Sequence, residues 1–354
     1  MMDEVLFRQE DQLGLITLNR PSALNALTLT MILAMQKQLS LWKKDDSICA
    51  IVVQAVPGNA FCAGGDVRSL YFSGRLSDAE QMQFFWHEYR LNHFIHHLGK
   101  PYISLIDGMV MGGGVGISLH GSHPVASDRF VFAMPETGIG FFPDIGASYL
   151  LNRCPGYLGI YLGLTGNRLG AIDALHAGLV KKIVSFERIP MLFNMLKNTD
   201  LSKDAYKGVD HCLHEYSLIS ATAEPSQINP TIDVCFAHST VEKIKASLLE
   251  LNEAWAINID NTLSQKSPLS LKVTLAQLQK VKDLTLAECL QMDYDIVSHF
   301  MHGHDFYEGV RALLIDKDRT PRWYPEQLEG VTDQMVDGYF TRTQTTLEWI
   351  EEES

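Results

Sequence analysis

An α/β fold with a mainly helical C-terminal region is predicted from three observations. In the first half of the chain, short apolar runs at residues 15–18, 48–56, 101–109 and 130–134 alternate with longer stretches of helical period. Two glycine-rich segments, Ala63-Gly64-Gly65 and Gly112-Gly113-Gly114, stand where such a run hands over to a helix. From about Gly170 onwards strand signals thin out and helix-like segments take over. Strands alternating with helices mark the α/β class. The change of character divides the chain into a core over 1–200 and a helical region over 201–354.

The elements follow in order. The strand at 15–18 stops at Asn19-Arg20-Pro21, and Thr28 supplies an N-cap for a helix with Leu29, Ile32, Leu33, Gln36, Leu39 and Trp42 at helical spacing. The strand at 48–56 is closed by Pro57-Gly58-Asn59, and a long helix rich in aromatics and histidines is expected over 77–98. A strand over 101–109 precedes the glycine run, which opens a helix over 112–120; a short strand at 130–134 then leads into the loop that carries Glu136. Helices are expected at 172–177, ending on Gly178 as C-cap, and at 191–198, 241–254, 269–281 and 286–300, with another from about Tyr307. Residues 221–231 read as a polar loop and the acidic tail as helical over 333–352.

A chain of 354 residues buries a full core, and the formal net charge of −13 without a basic run argues against nucleic acid as a partner. No apolar stretch approaches the roughly 18–20 residues of a membrane span, so no membrane partner is expected. The opening Met1-Met2-Asp3-Glu4 runs at once into a strand, leaving no room for a secretory signal, and its acids disfavour a transit peptide. A cytoplasmic protein is expected, with a processed mitochondrial form as the alternative. Six cysteines without a C-x-x-C pair suit reduced thiols.

The two glycine turns carry the first chemical signal. Without a Cβ, a substrate can lie against the backbone, and two peptide N–H groups aimed at one point make an oxyanion hole for a carbonyl oxygen that gains charge during acyl chemistry. The Met134-Pro135-Glu136-Thr137-Gly138-Ile139-Gly140 segment adds a carboxylate. Phe141 and Phe142 supply apolar surroundings that raise the pKa of Glu136 by desolvation. His93 and His97 have an i, i+4 spacing, and His211 and His214 lie close together, but neither set completes a zinc pattern. No P-loop, no dinucleotide fingerprint and no G-x-S-x-G elbow occurs, so no metal and no redox cofactor is expected.

Phe61-Cys62-Ala63-Gly64-Gly65-Asp66, Gly112-Gly113-Gly114 and Pro135-Glu136 resemble the three signature elements of the crotonase (enoyl-CoA hydratase/isomerase) superfamily. Three longer blocks, at 134–146, 267–272 and 303–318, resemble the 3-hydroxyisobutyryl-CoA hydrolase family, in order along nearly the whole chain. The resemblance implies a crotonase-type ββα spiral, an acyl-CoA substrate, thioester hydrolysis in valine catabolism, and no cofactor beyond the CoA of the substrate. It places Gly65 and Gly113 at the oxyanion hole, with Gly64 and Gly112 beside them. Glu136 becomes general base or nucleophile, Asp144 a positioning or proton-transfer group, and Glu88 a substrate contact. Phe141 lines the substrate. The 19–27 loop, with Arg20, Ala23 and Asn25, resembles the segment that packs on CoA; Arg20 would meet a phosphate or form a plain salt bridge. Lys272, Arg311 and Lys317 are weaker phosphate candidates.

One departure bears on the reaction. Hydratases of this superfamily carry a second glutamate three residues after the hole glycine, and here that position is Gly116. Losing one of two acid–base groups argues against hydration. Enoyl-CoA isomerases with one carboxylate, or a non-catalytic acyl-CoA binder, stay as alternatives. Crotonase relatives often form trimers, which keeps a homo-oligomer open.

Overall fold

A computed structural model describes residues 3–76, 80–217 and 228–350. Its strands enter two sheets in turn. β1 (Val5–Glu10) and β2 (Leu13–Leu18) form an antiparallel hairpin. After α1 (Leu29–Lys44), β3 (Ala50–Ala55) joins β2 in parallel, and β4 (Ala60–Cys62) starts a second sheet. Then come α2 (Val67–Arg75) and α3 (Glu80–His96). The pattern repeats with β5 (Tyr102–Ile106), β6 (Met109–Met111) and α4 (Gly113–Leu119), and again with β7 (His123–Ser127) and β8 (Val131–Ala133). After the opening hairpin, each pair of strands, β3 with β4, β5 with β6 and β7 with β8, places one strand in each sheet, which is the expected ββα spiral.

The helical remainder begins with α5 (Ala147–Leu151) and α6 (Leu158–Thr165). β9 (Leu169–Gly170) closes the smaller sheet, order β4-β6-β8-β9, and after α7 (Ala171–His176) β10 (Lys182–Val184) closes the larger, order β1-β2-β3-β5-β7-β10. α8 (Ile189–Asn198), α9 (Ala205–Tyr216), α10 (Ile232–Cys235), α11 (Val241–Leu251), α12 (Ala254–Ser264), α13 (Pro268–Lys280), α14 (Leu286–Phe300), α15 (Asp305–Val310) and α16 (Asp333–Gly338) follow.

Successive side chains of a strand point to opposite faces, and both faces of the large sheet are covered. Ile16 and Leu18 face a large apolar cluster that also contains Phe61, Phe142, Leu271, Ile296 and Leu347. Leu13 and Leu15 face a smaller one closed by Leu192, Leu196, Val209 and Leu213 of α8 and α9. One apolar cluster therefore runs through both the 1–200 and the 201–354 segments.

Several elements differ from the expectation. The run over 101–109 is two strands in different sheets, broken at Gly108, where φ is +85° and a Cβ would stand 2.6 Å from Asn59 O. Continuous apolarity hides such a break. α2 was not foreseen; Asp66 caps it by accepting from Ser69 N–H. The helix expected over 241–254 is cut at Asn252, whose φ of +49° ends α11. Among the described residues of the expected 333–352 helix, only Asp333–Gly338 is helical. Beyond it the chain is pinned in non-helical form by contacts with distant helices: Leu347 N–H donates to Gln291 Oε1 at 2.8 Å, and Trp349 stacks on His93 at 4.0 Å. Most of the polar loop expected at 221–231 lies outside the described residues, as do 77–79 of the aromatic helix.

Candidate active site

β4, β6 and β8 are neighbouring parallel strands of the small sheet, so their carboxyl ends lie side by side. Those ends carry Gly64-Gly65, Gly112-Gly113 and Glu136 respectively. Crevices outside the carboxyl ends of parallel strands are where open α/β sheets bind ligands. Topology thus joins three segments that are far apart in sequence.

Glycine is needed at these turns for stated steric reasons. Gly64 and Gly112 have φ of +111° and +45°. A Cβ on Gly112 would sit 3.2 Å from Glu136 Oε1, and one on Gly113 would overlap Glu88 Oε1 and stand 3.3 Å from Gly65 N. Gly65 and Gly113 therefore lie close together, and both line the same cavity. Among the described residues neither N–H donates to a backbone carbonyl. Two uncommitted donors at one point of the cavity wall are what an oxyanion needs.

Three carboxyls surround that point, none more than 6% exposed. Glu136 opens the 3-10 turn Glu136–Ile139 after β8, a turn tied down by Thr137 Oγ1 donating to Leu164 O at 3.0 Å and Phe141 N–H donating to Glu136 O at 3.0 Å. Its Oε2 has no partner among the described residues, and burial, with the charge of Asp144, holds its pKa well above the ordinary carboxylate range. Glu88 reaches in from α3; its Oε1 is likewise unpartnered, and burial and then Asp144 raise its pKa. Asp144 accepts a hydrogen bond from Tyr89 Oη at 2.8 Å, and burial lifts its pKa to about 7 despite that bond. Lys266 is close enough to Glu136 to oppose its shift, while burial lowers the pKa of Lys266 itself. Phe84, Phe85, Phe141 and Phe306 complete a cavity of about 220 Å³ that contains the two glycine pairs and all three carboxyls. Phe85 and Phe141 stack at 5.9 Å.

The remaining expected residues are placed as follows. Arg20 is engaged by Glu4 at 2.9 Å, Asp66 at 2.8 Å and Ala26 O at 3.1 Å, the plain salt-bridge reading. Asn25 braces the same loop, accepting from Arg20 N–H at 2.8 Å and donating to Ala60 O at 3.0 Å, and Ala23 ends the Pro21–Ala23 turn. Lys272 pairs with Glu242 at 2.6 Å, and Arg311 with Glu308, Asp316 and Asp318. At Gly116, the space a side chain would fill holds the buried Asn92 carboxamide, 2.7 Å from a notional Cβ. The His93 and His97 rings lie tilted against each other, centroids 4.2 Å apart. Sequence reasoning did not find Tyr89 or Lys266 as site residues, because their neighbours come from other elements.

Comparison with known proteins gives the family and the fold. The family model described as enoyl-CoA hydratase/isomerase matches residues 13–340. The 3-hydroxyisobutyryl-CoA hydrolase, mitochondrial, of Xenopus tropicalis is 44% identical over 342 residues, covering 96% of this chain and 89% of that protein. The protein of the same name from Homo sapiens is 41% identical over 341 residues, covering 96% and 88%. Among solved structures, a carnitinyl-CoA dehydratase from Mycobacterium thermoresistibile superposes with a TM-score of 0.90 at 36% identity, covering 99% of this chain and 100% of its own. An enoyl-CoA hydratase from Rhodobacter sphaeroides 2.4.1 superposes with 0.86 at 35% identity, covering 96% and 98%.

Proposed function

Since the chain belongs to the enoyl-CoA hydratase/isomerase family, we propose that it hydrolyses the thioester of 3-hydroxyisobutyryl-CoA, or of a close short-chain β-hydroxyacyl-CoA, to the free acid and CoA. The observation that carries this reading is the pairing of two uncommitted amides, on Gly65 and Gly113, with the buried, unpartnered carboxyl of Glu136. The names of the 41–44% identical relatives supply the substrate.

In this scheme the thioester oxygen accepts from both amides, which stabilises the tetrahedral intermediate; one such donor is worth about 10²–10³ in kcat. Glu136 either removes a proton from the attacking water, whose addition expels CoA thiolate as the C–S bond breaks, or attacks the acyl carbon itself, expelling CoA thiolate and forming a mixed anhydride that water then cleaves to the free acid and the Glu136 carboxylate. Asp144, with a pKa of about 7, takes up or returns a proton near neutrality. Glu88, whose Oε1 lies against Gly113 in the same cavity, would contact the acyl group. No cofactor enters the scheme. At Gly116 the hydratase-type second glutamate is missing and a neutral carboxamide fills the space, which weighs against adding water to a C=C bond despite the names of the two structural neighbours.

A second cavity, of about 780 Å³, shares Leu313 with the catalytic one and is lined by Lys266, Arg319, Arg322 and Trp323. We assign it to the phosphorylated nucleotide end of CoA. Arg20, already held by two acids, keeps to bracing its loop. The word mitochondrial in the relatives' names supports a mitochondrial compartment over the cytoplasm, and valine catabolism is the pathway we propose.

The test is thiol release, followed with a colorimetric trap, from 3-hydroxyisobutyryl-CoA, 3-hydroxypropionyl-CoA and crotonyl-CoA. Release from the β-hydroxy esters that Glu136→Gln abolishes is the expected result. No release from any ester, with a shift in C=C absorbance on an enoyl-CoA, would replace hydrolysis by isomerisation; CoA-ester binding with neither change would make the protein a binder.

A further inference from the structure

Asp144 stands on a turn whose backbone is strained. Ile145 has φ +59°, the left-handed region that β-branched residues avoid, and it is fully buried. Such a conformation persists only where the surroundings over-determine it. Here the C-terminal helices do so. On α13, Gln277 Nε2 donates to Pro143 O at 3.0 Å and to Asp293 Oδ1 at 2.7 Å. On α14, Asp293 Oδ2 accepts from Gly146 N–H at 2.7 Å. His120, capping the end of α4, lies with Nε2 2.7 Å from Ile145 O. Burial keeps its pKa down at about 4, so the neutral ring donates from Nε2. Ala147 N–H closes the turn on Asp144 O at 2.8 Å. Gln277 and Asp293 are both fully buried.

We propose that Asp293 and Gln277 are positioning residues of the catalytic site: by gripping the peptides on either side of Asp144 they hold the 143–146 turn in its left-handed form and Asp144 against Tyr89. The kinetic part of this proposal rests on the hydrolase reading; the structural part does not. It also accounts for two buried polar side chains on C-terminal helices, deep in an apolar cluster, that a purely apolar core would not need. The groups that face Asp144 are Glu88 and Tyr89 from α3, Glu136 from the turn after β8, and Asp293 from α14. Loosening the grip lets Asp144 swing from Tyr89 and admits water to the turn.

The experiment uses the full chain with Gln277→Met, which keeps the volume and removes both donated bonds, and Asp293→Asn, which keeps the shape and removes the carboxylate. Two readouts are taken: kcat and KM for thiol release, and the titration midpoint of the Asp144 carboxyl by carbon NMR in aspartate-labelled protein. The expected result is a fall in kcat of about tenfold to a hundredfold, as a displaced catalytic group gives, with KM unchanged and the Asp144 midpoint displaced from its value in the unaltered protein, since both its bond to Tyr89 and its burial change. The proposal is overturned if the variants lose only melting temperature while kcat and the midpoint match the unaltered protein. Should Gln277→Met not fold, Asp293→Asn decides by the same readouts. If the unaltered protein cleaves no thioester, the hydrolase reading falls, and the NMR midpoint alone still decides the grip.

Discussion

Tyr89 Oη donates to Asp144 Oδ2 across 2.8 Å, joining a helix of the ββα core to the turn that the C-terminal helices hold. The phenol is itself fully buried and its pKa is raised well above the ordinary tyrosine value, so it stays a donor through the working pH range.

Removing that donor tests the charge state of Asp144. The bond favours the carboxylate, so Tyr89→Phe moves the Asp144 pKa up from about 7. A lost bond to a charged group, about 1.5–3 kcal/mol, corresponds to roughly one to two pH units. The acid limb of kcat/KM against pH is expected to shift to higher pH by that amount; an unmoved limb would remove Asp144 from the rate-controlling ionisations.

Glu136→Gln keeps the shape of the side chain and removes its basicity. Turnover should fall by about 10²–10⁴, with acyl-CoA binding by calorimetry unchanged. Equal losses of turnover and binding would instead mean that the carboxyl only shapes the cavity.

At Gly113 the prediction is steric. An added methyl overlaps Glu88 Oε1 and displaces the amide next to Gly65. Gly113→Ala is expected to cost about 10²–10³ in kcat and about 1–3 kcal/mol of stability from overpacking, read by thiol release and by urea unfolding.

Stability should fall as pH rises. A carboxyl whose folded-state pKa is raised binds more protons folded than unfolded, so its contribution is full below the unfolded pKa and is lost as pH rises through the folded value. For Asp144 that window runs from the ordinary 3.8 to about 7, worth roughly 4 kcal/mol at about 1.4 kcal/mol per unit. Asp144→Asn is therefore expected to melt several degrees higher than the unaltered protein at neutral pH, with the difference vanishing below the lower end of the window. An equal melting temperature at both ends would contradict the burial cost.

The larger cavity makes a distinction between substrates. Arg319→Ala with Arg322→Ala should raise KM for acyl-CoA esters, more so at low salt, and leave pantetheine thioesters of the same acyl group unaffected. Equal effects on both esters would place the nucleotide elsewhere.

The alternation of apolar runs and helical stretches was enough to place the chain in the α/β class, and the Gly64-Gly65, Gly112-Gly113 and Glu136 segments were readable because steric and catalytic demands act there on single positions. Boundaries were less readable. Gly108 splits one apolar run between two sheets, and Asn252 ends a helix that periodicity would continue.

What the sequence determined by itself was the set of local parts: glycine where the backbone needs it, a carboxylate in an apolar loop, and no second glutamate at Gly116. Only the tertiary structure decided how those parts act. Parallel pairing of β4, β6 and β8 brings three strand ends together. Burial raises the pKa of Glu88, Glu136 and Asp144. Tyr89, Gln277 and Asp293 meet the Asp144 turn from helices as far as 147 residues away in sequence. Desolvation and hydrogen bonding depend on which atoms surround a group in space, and local residue patterns do not encode those distances.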